Sequence, residues 1–83
     1  MKNANDAYSE KAMIRKRRAW AANALKAFRE ICPTDPDCEL QDLLTNLHHW
    51  ADKNGFDFEE VLEKSEWMYR EEIAYLKREE KNA

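Results

Sequence analysis

The chain has 83 residues, 43% hydrophobic and 37% charged, with one glycine, two prolines and a net charge of −3, which suits one small domain and leaves no room for a second. Ala, Leu, Glu, Lys and Arg dominate and hairpin turn residues are scarce, so the composition excludes a β-rich fold and predicts an all-α one. No run approaches the length of a membrane span and residues 1–11 carry no apolar leader core, so a cytoplasmic protein with no membrane partner is expected.

The charge is unevenly placed. Residues 1–31 hold eight basic side chains against three acidic ones, a net of +5, while residues 32–83 hold six against fourteen, a net of −8. The simpler consequence is that a basic first helix docks on acidic later helices; the sharper one is that each half meets a different partner.

In chain order, the first helix is expected over residues 6–32. At 100° per residue, Met13, Trp20, Ala21, Ala24, Ala27, Phe28 and Ile31 share one side, which reads as a core face. Lys11, Arg15, Arg18, Lys26 and Arg29 line the opposite side as an exposed basic stripe, with Tyr8 nearby. Arg17 alone projects from the apolar side. On the last helix Glu72 is likewise the one acid within the apolar set Phe58, Val61, Leu62, Ser65, Met68, Tyr69, Ile73 and Leu76. A half-buried charge is tolerable when paired, so an Arg17–Glu72 bridge is predicted, within or between chains.

Pro33-Thr34-Asp35-Pro36 breaks the first helix, and Asp35 as N-cap with Pro36 at the first position opens the second, expected over 36–53. A connection of this length makes the two helices antiparallel neighbours. Leu40, Leu43, Leu44, Leu47, Trp50 and Ala51 make its apolar face, and Asn54-Gly55 ends it. Asp57 then caps the third helix, expected over 58–80, with Glu60 completing a capping box and Phe56 stapling onto Val61. Glu60–Lys64 and Glu66–Arg70 are favourable i, i+4 pairs, and the final KREEKNA is expected to fray.

Chemistry is sparse. Cys32, Cys38, His48 and His49 match no common zinc spacing, and adjacent histidines on a helix diverge by about 100°. The thiols read as reduced small fillers and the histidines as structural or exposed. Trp67 stands on the polar side of the last helix among Glu60, Glu63, Arg70 and Glu71, the position of an interface anchor. The basic stripe also fits phosphate tracking, although the chain is acidic overall and lacks a recognition-helix context.

The motif Glu39-Leu-Gln-Asp42, with Ala51-Asp52-Lys53-Asn54-Gly55-Phe56-Asp57-Phe58-Glu59-Glu60 and then Leu62 and Lys64, resembles the second half of the metal site of the MazG-like all-α NTP pyrophosphatases over residues 39–70. That likeness implies a nucleotide pyrophosphohydrolase as the enzymatic alternative. The ExxE pair that completes the family's Mg²⁺ cage has no counterpart in residues 10–31, where Glu30 is followed three positions later by Pro33. Glu39 and Asp42 read more simply as acids favoured at a helix N-terminus. The block DLLTNLHHWADKNGFDFEEVLEKSEWMY is similar to small helical proteins of phages and other mobile elements. That likeness implies a protein that binds a host protein, a defence system among the candidates, with an anti-CRISPR-type inhibitor as one form.

The resulting expectation is a three-helix protein with a long first helix and a C-terminal helical hairpin, dimeric because Trp20, Trp67 and Tyr75 would lie open in a monomer. It is read as a non-enzymatic interaction or inhibitor protein with no cofactor, no catalytic set and no metal set. Partner binding falls to Lys11, Arg15, Arg18, Lys26, Arg29 and Trp67; a host protein is the preferred partner, ahead of nucleic acid.

Overall fold

A computed structural model describes residues 9–82 and folds them into three helices, α1 (Glu10–Ile31), α2 (Glu39–Lys53) and α3 (Phe58–Asn82), with no strand among the described residues. The all-α expectation holds. The start of α1 lies later than expected: Ser9 is extended, at φ −66 and ψ 156, and its hydroxyl accepts the Ala12 N–H at 3.1 Å. That is an N-cap, so the helix opens at Glu10. Residues 6–8 of the expected span lie outside the described residues, as does Tyr8. At the other end the Cys32 N–H donates to the Phe28 carbonyl at 2.8 Å before Pro33 removes the next donor.

The second helix also opens later than expected. Asp35 to Cys38 forms a separate turn, closed by the Cys38 N–H on the Asp35 carbonyl at 2.9 Å, and α2 begins at Glu39 without a side-chain cap. Its first-turn acids have tertiary partners in place of Asp35: Asp42 accepts the Thr34 hydroxyl at 2.7 Å and Glu39 accepts Arg29.

The turn between α2 and α3 follows its sequence signals closely. Gly55 sits at φ 79, and the Phe56 N–H returns to the Ala51 carbonyl at 2.9 Å, the bond of a Schellman stop. The Asn54 side chain adds a bond to the Trp50 carbonyl at 2.8 Å. Asp57 then accepts the Glu60 N–H at 3.1 Å, which starts α3. The capping box is only half closed, because the Glu60 carboxylate pairs with Lys64 at 2.9 Å. Phe56 stacks on Trp50 with ring centroids 5.6 Å apart and shares a cleft with Val61, while His48 stacks on Phe58 at 4.7 Å. Ring contacts thus hold the two helix ends together at the turn.

The first and third helices run antiparallel in one register. Glu79 accepts the N–H groups of Glu10 and, at 3.1 Å, Lys11; seven residues along each helix, Arg17 meets Glu72 at 2.9 Å. A carboxylate at the positive end of α1 satisfies donors that no carbonyl reaches. It also anchors the end of α3, which stays helical to Asn82 where fraying was expected. Met13, Ile14, Ile73, Ala74 and Leu76 are among the half-buried residues of this seam.

Closure stops there. Ala51, at 4% exposure, is the one buried hydrophobic residue among those described. The expected core face of α1 is largely open, with Trp20 at 56% and Ile31 at 83%, and Ala21, Ala24 and Ala27 exposed; Met13 and Phe28 are its half-buried members, and Ile14 and Leu25, outside the expected set, are half-buried as well. On α3, Val61, Leu62, Ser65, Met68 and Tyr69 of the predicted buried set are exposed as well. The cause is geometric: an antiparallel pair closes only the strip between its axes, and α2 reaches only the C-terminal end of α1. The radius of gyration is 16.3 Å, against about 12 Å for a compact domain of this length.

Candidate interaction surfaces

The paired charges come first, because they decide which side chains are left to meet a partner. Arg29 donates through Nε to Glu39 Oε2 at 2.6 Å and through Nη2 to Oε1 at 2.8 Å, a two-bond fork that joins the end of α1 to the start of α2. Glu39 is the buried member, at 6% exposure. Hydrogen bonding from Arg29 holds its carboxyl below the usual carboxylate range, opposed by burial and helped by the guanidinium charge. The same hydrogen bond raises Arg29 further above its already high value. Arg29 is therefore a structural clasp as well as a member of the exposed stripe: α2 folds back onto its side of α1 and engages it, while the Arg29 side chain stays 56% exposed.

The clasp has a pH consequence. A carboxyl whose folded pKa lies below its unfolded value stabilises the fold above the unfolded pKa of about 4.5 and loses that contribution as pH falls through the folded pKa. The thermal midpoint should drop on acidification below pH ~4.5. Glu39→Gln should flatten that drop and lower the midpoint at neutral pH; an unchanged acid limb in this variant would disprove the role of Glu39.

Arg29 holds both Glu39 oxygens and the Thr34 hydroxyl bonds Asp42 Oδ2, which leaves Asp42 Oδ1 as the one oxygen of the acidic pair without a hydrogen bond among the described residues. Among the described residues, no group of three or more His, Cys, Asp or Glu side chains is arranged to hold a metal. Cys32 and Cys38 are free and exposed, which corrects their reading as packing fillers. His48 lies 3.7 Å from Asp52 across one helical turn.

Lys11, Arg15, Arg18 and Lys26 remain exposed, and none forms an ion pair among the described residues. The docking of basic first helix on acidic third helix reduces to Arg17–Glu72, with Glu79 on the α1 backbone. Arg17 and Glu72 form a central ridge with an open cleft on either flank. One cleft, of about 390 Å³, is walled by Ile14, Arg18, Ala21, Tyr69 and Ile73. The other, of about 310 Å³, is walled by Glu10, Trp67, Met68, Glu71 and Tyr75.

Trp67 is exposed to 64%, as its place on the polar side predicts. Its indole also borders a further cleft of about 310 Å³ with Glu63, Glu66 and Arg70. It stands as a partition between two grooves on an acidic surface. Arg18 lines one of these clefts and Trp67 the other, on opposite flanks of the Arg17–Glu72 ridge.

A third surface escaped the sequence reading. Leu40, Leu44 and Leu47 on α2, with Trp50, Phe56 and Val61, are exposed and contiguous, and a cleft of about 300 Å³ is lined by Leu47, Trp50, Ala51, Phe56, Phe58 and Val61. The sequence places the leucines on one apolar face, and periodicity alone does not say whether such a face is covered. No helix among the described residues is long and apolar enough to cross a membrane. Comparisons with protein-family models, curated proteins and solved structures return no match.

Proposed function

We propose that the chain is a small non-enzymatic interaction or inhibitor protein that binds a host protein, in the phage and mobile-element setting its C-terminal block resembles. A defence system is one class of target for such a protein. The observation that carries this reading is Trp67, open to solvent between two grooves. A large indole on a charged surface contributes binding energy when a partner pocket desolvates it. Glu63, Glu66 and Glu71 around it favour a partner with a basic rim. The basic stripe of Lys11, Arg15, Arg18 and Lys26 is a second surface suited to an acidic partner.

Co-purification of the tagged chain from its native host, with partners identified by mass spectrometry, tests this reading. Trp67→Ala should weaken capture of the specific partner by roughly 30-fold or more, the loss typical of an interface hot spot. Arg15→Glu with Arg18→Glu should leave that partner bound. Equal capture by the wild type and Trp67→Ala would refute the Trp67 site. Mg²⁺-dependent pyrophosphate release from nucleoside triphosphates, abolished by Glu39→Gln, would instead establish the pyrophosphohydrolase alternative.

A further inference from the structure

The apolar face of α2 asks for an occupant of its own. Leu40, Leu44, Leu47 and Ala51 recur at intervals of four, three and four, the spacing of a helix–helix seam. Around the helix, from Trp50 through Leu43, Leu47, Leu40, Ala51 and Leu44 to His48, no residue carries a formal charge at neutral pH. Only Ala51 of the seam is buried, and the adjoining cleft is walled entirely by apolar and aromatic side chains. A face of this kind left in water is a docking surface.

Area and charge identify what docks. The accessible surface is 7429 Å², whereas a compact monomer of 9.9 kDa exposes about 5,200 Å². The excess, spread over the whole chain, is larger than the roughly 800 Å² that each partner gives up in a standard stable interface. Two α2 helices laid antiparallel oppose their helix dipoles. Beyond the seam, Lys11, Arg15, Arg18 and Lys26 on one side, and Glu59, Glu63 and Glu71 on the other, have no ion partner among the described residues, which leaves basic and acidic surfaces able to meet between chains.

We propose that a second copy of this chain covers this face, the two α2 helices packing antiparallel across a two-fold axis near Leu44 and Leu47. The contact is isologous, so the same leucines of both copies gather about the axis. The assignment stands independently of the Trp67 surface, which the dimer leaves free for a different protein.

Analytical ultracentrifugation of the full chain tests it. The wild type and Trp67→Ala should sediment at twice the chain mass, and Leu44→Glu with Leu47→Glu should sediment as a monomer, with dimer affinity reduced at least 100-fold. A second variant set guards against simple misfolding. In a Cys32→Ser, Cys38→Ser background, Leu44→Cys should cross-link to its own copy on mild oxidation while the outward-facing Thr45→Cys should not. A wild type that remains monomeric, a dimer that survives the paired glutamates or is broken by Trp67→Ala, or equal cross-linking at positions 44 and 45 would overturn the proposal. A failed dimer with intact Trp67-dependent capture, or the reverse, separates the two proposals.

Discussion

The turn between α2 and α3 and the leucine seam on α2 share the same fifteen-residue helix, yet they differ in how far one chain completes them. At the turn, Gly55, Asn54, Asp57 and the Phe56–Trp50 stack satisfy each other within a few residues. On the seam, three leucines with no less regular spacing stay open. The difference is one of range: backbone caps find partners locally, whereas an apolar face needs a second surface that this chain does not fold back to supply.

Substitutions can break or sharpen this contrast. The largest effect is expected at Ala51, where the two regions meet. A carboxylate introduced there by Ala51→Asp would be buried without a partner and should cost about 3 kcal/mol in urea unfolding. A loss below about 0.5 kcal/mol, the surface-substitution range, would show that the site opens freely to water. Leu44→Ala should cost about 2 kcal/mol if the seam is covered in solution, and only a few tenths if it stays exposed. The same urea titration, run at high protein concentration, decides between them.

Smaller effects probe the turn itself. Gly55→Ala meets open space, with nothing within 4 Å of the added methyl, so its cost is the left-handed backbone alone. About 1 kcal/mol is expected, and Gly55→Asn should recover part of it. Asp57→Ala removes the cap on the Glu60 N–H and should also cost about 1 kcal/mol, whereas Glu60→Gln should change stability by only a few tenths, because its carboxylate serves Lys64 and not the cap. An Asp57→Ala protein as stable as the wild type would mean that α3 starts without that bond.

These sizes also explain how much was legible beforehand. Stop and start signals at 54–57 are consecutive residues whose meaning depends on no distant contact, so that turn follows from the sequence. The Arg17–Glu72 pair was legible for a different reason: each is the lone charge within an apolar arc, and two such exceptions have few other partners. Arg29–Glu39 was not. Helical phase places Arg29 in the basic row, and nothing in that phase fixes where Glu39 lands after the Pro-rich turn. The Glu79 cap on α1 was equally hidden, since it depends on the α1–α3 register. Burial was the most misleading quantity, because Trp20, Ile31 and the α2 leucines have core periodicity without cover. Of the expected interaction residues, Trp67 and all five stripe residues are exposed, and one of the five, Arg29, is also engaged within the fold.

The central claim is that this chain completes its apolar seam with another copy, and the concentration dependence of thermal unfolding tests it most directly. For a dimer that unfolds to separate chains, raising the protein concentration about 100-fold should lift the circular-dichroism midpoint by roughly 5–10 °C. A midpoint that stays constant over that range would mean that a single chain holds the fold alone, and would contradict the account.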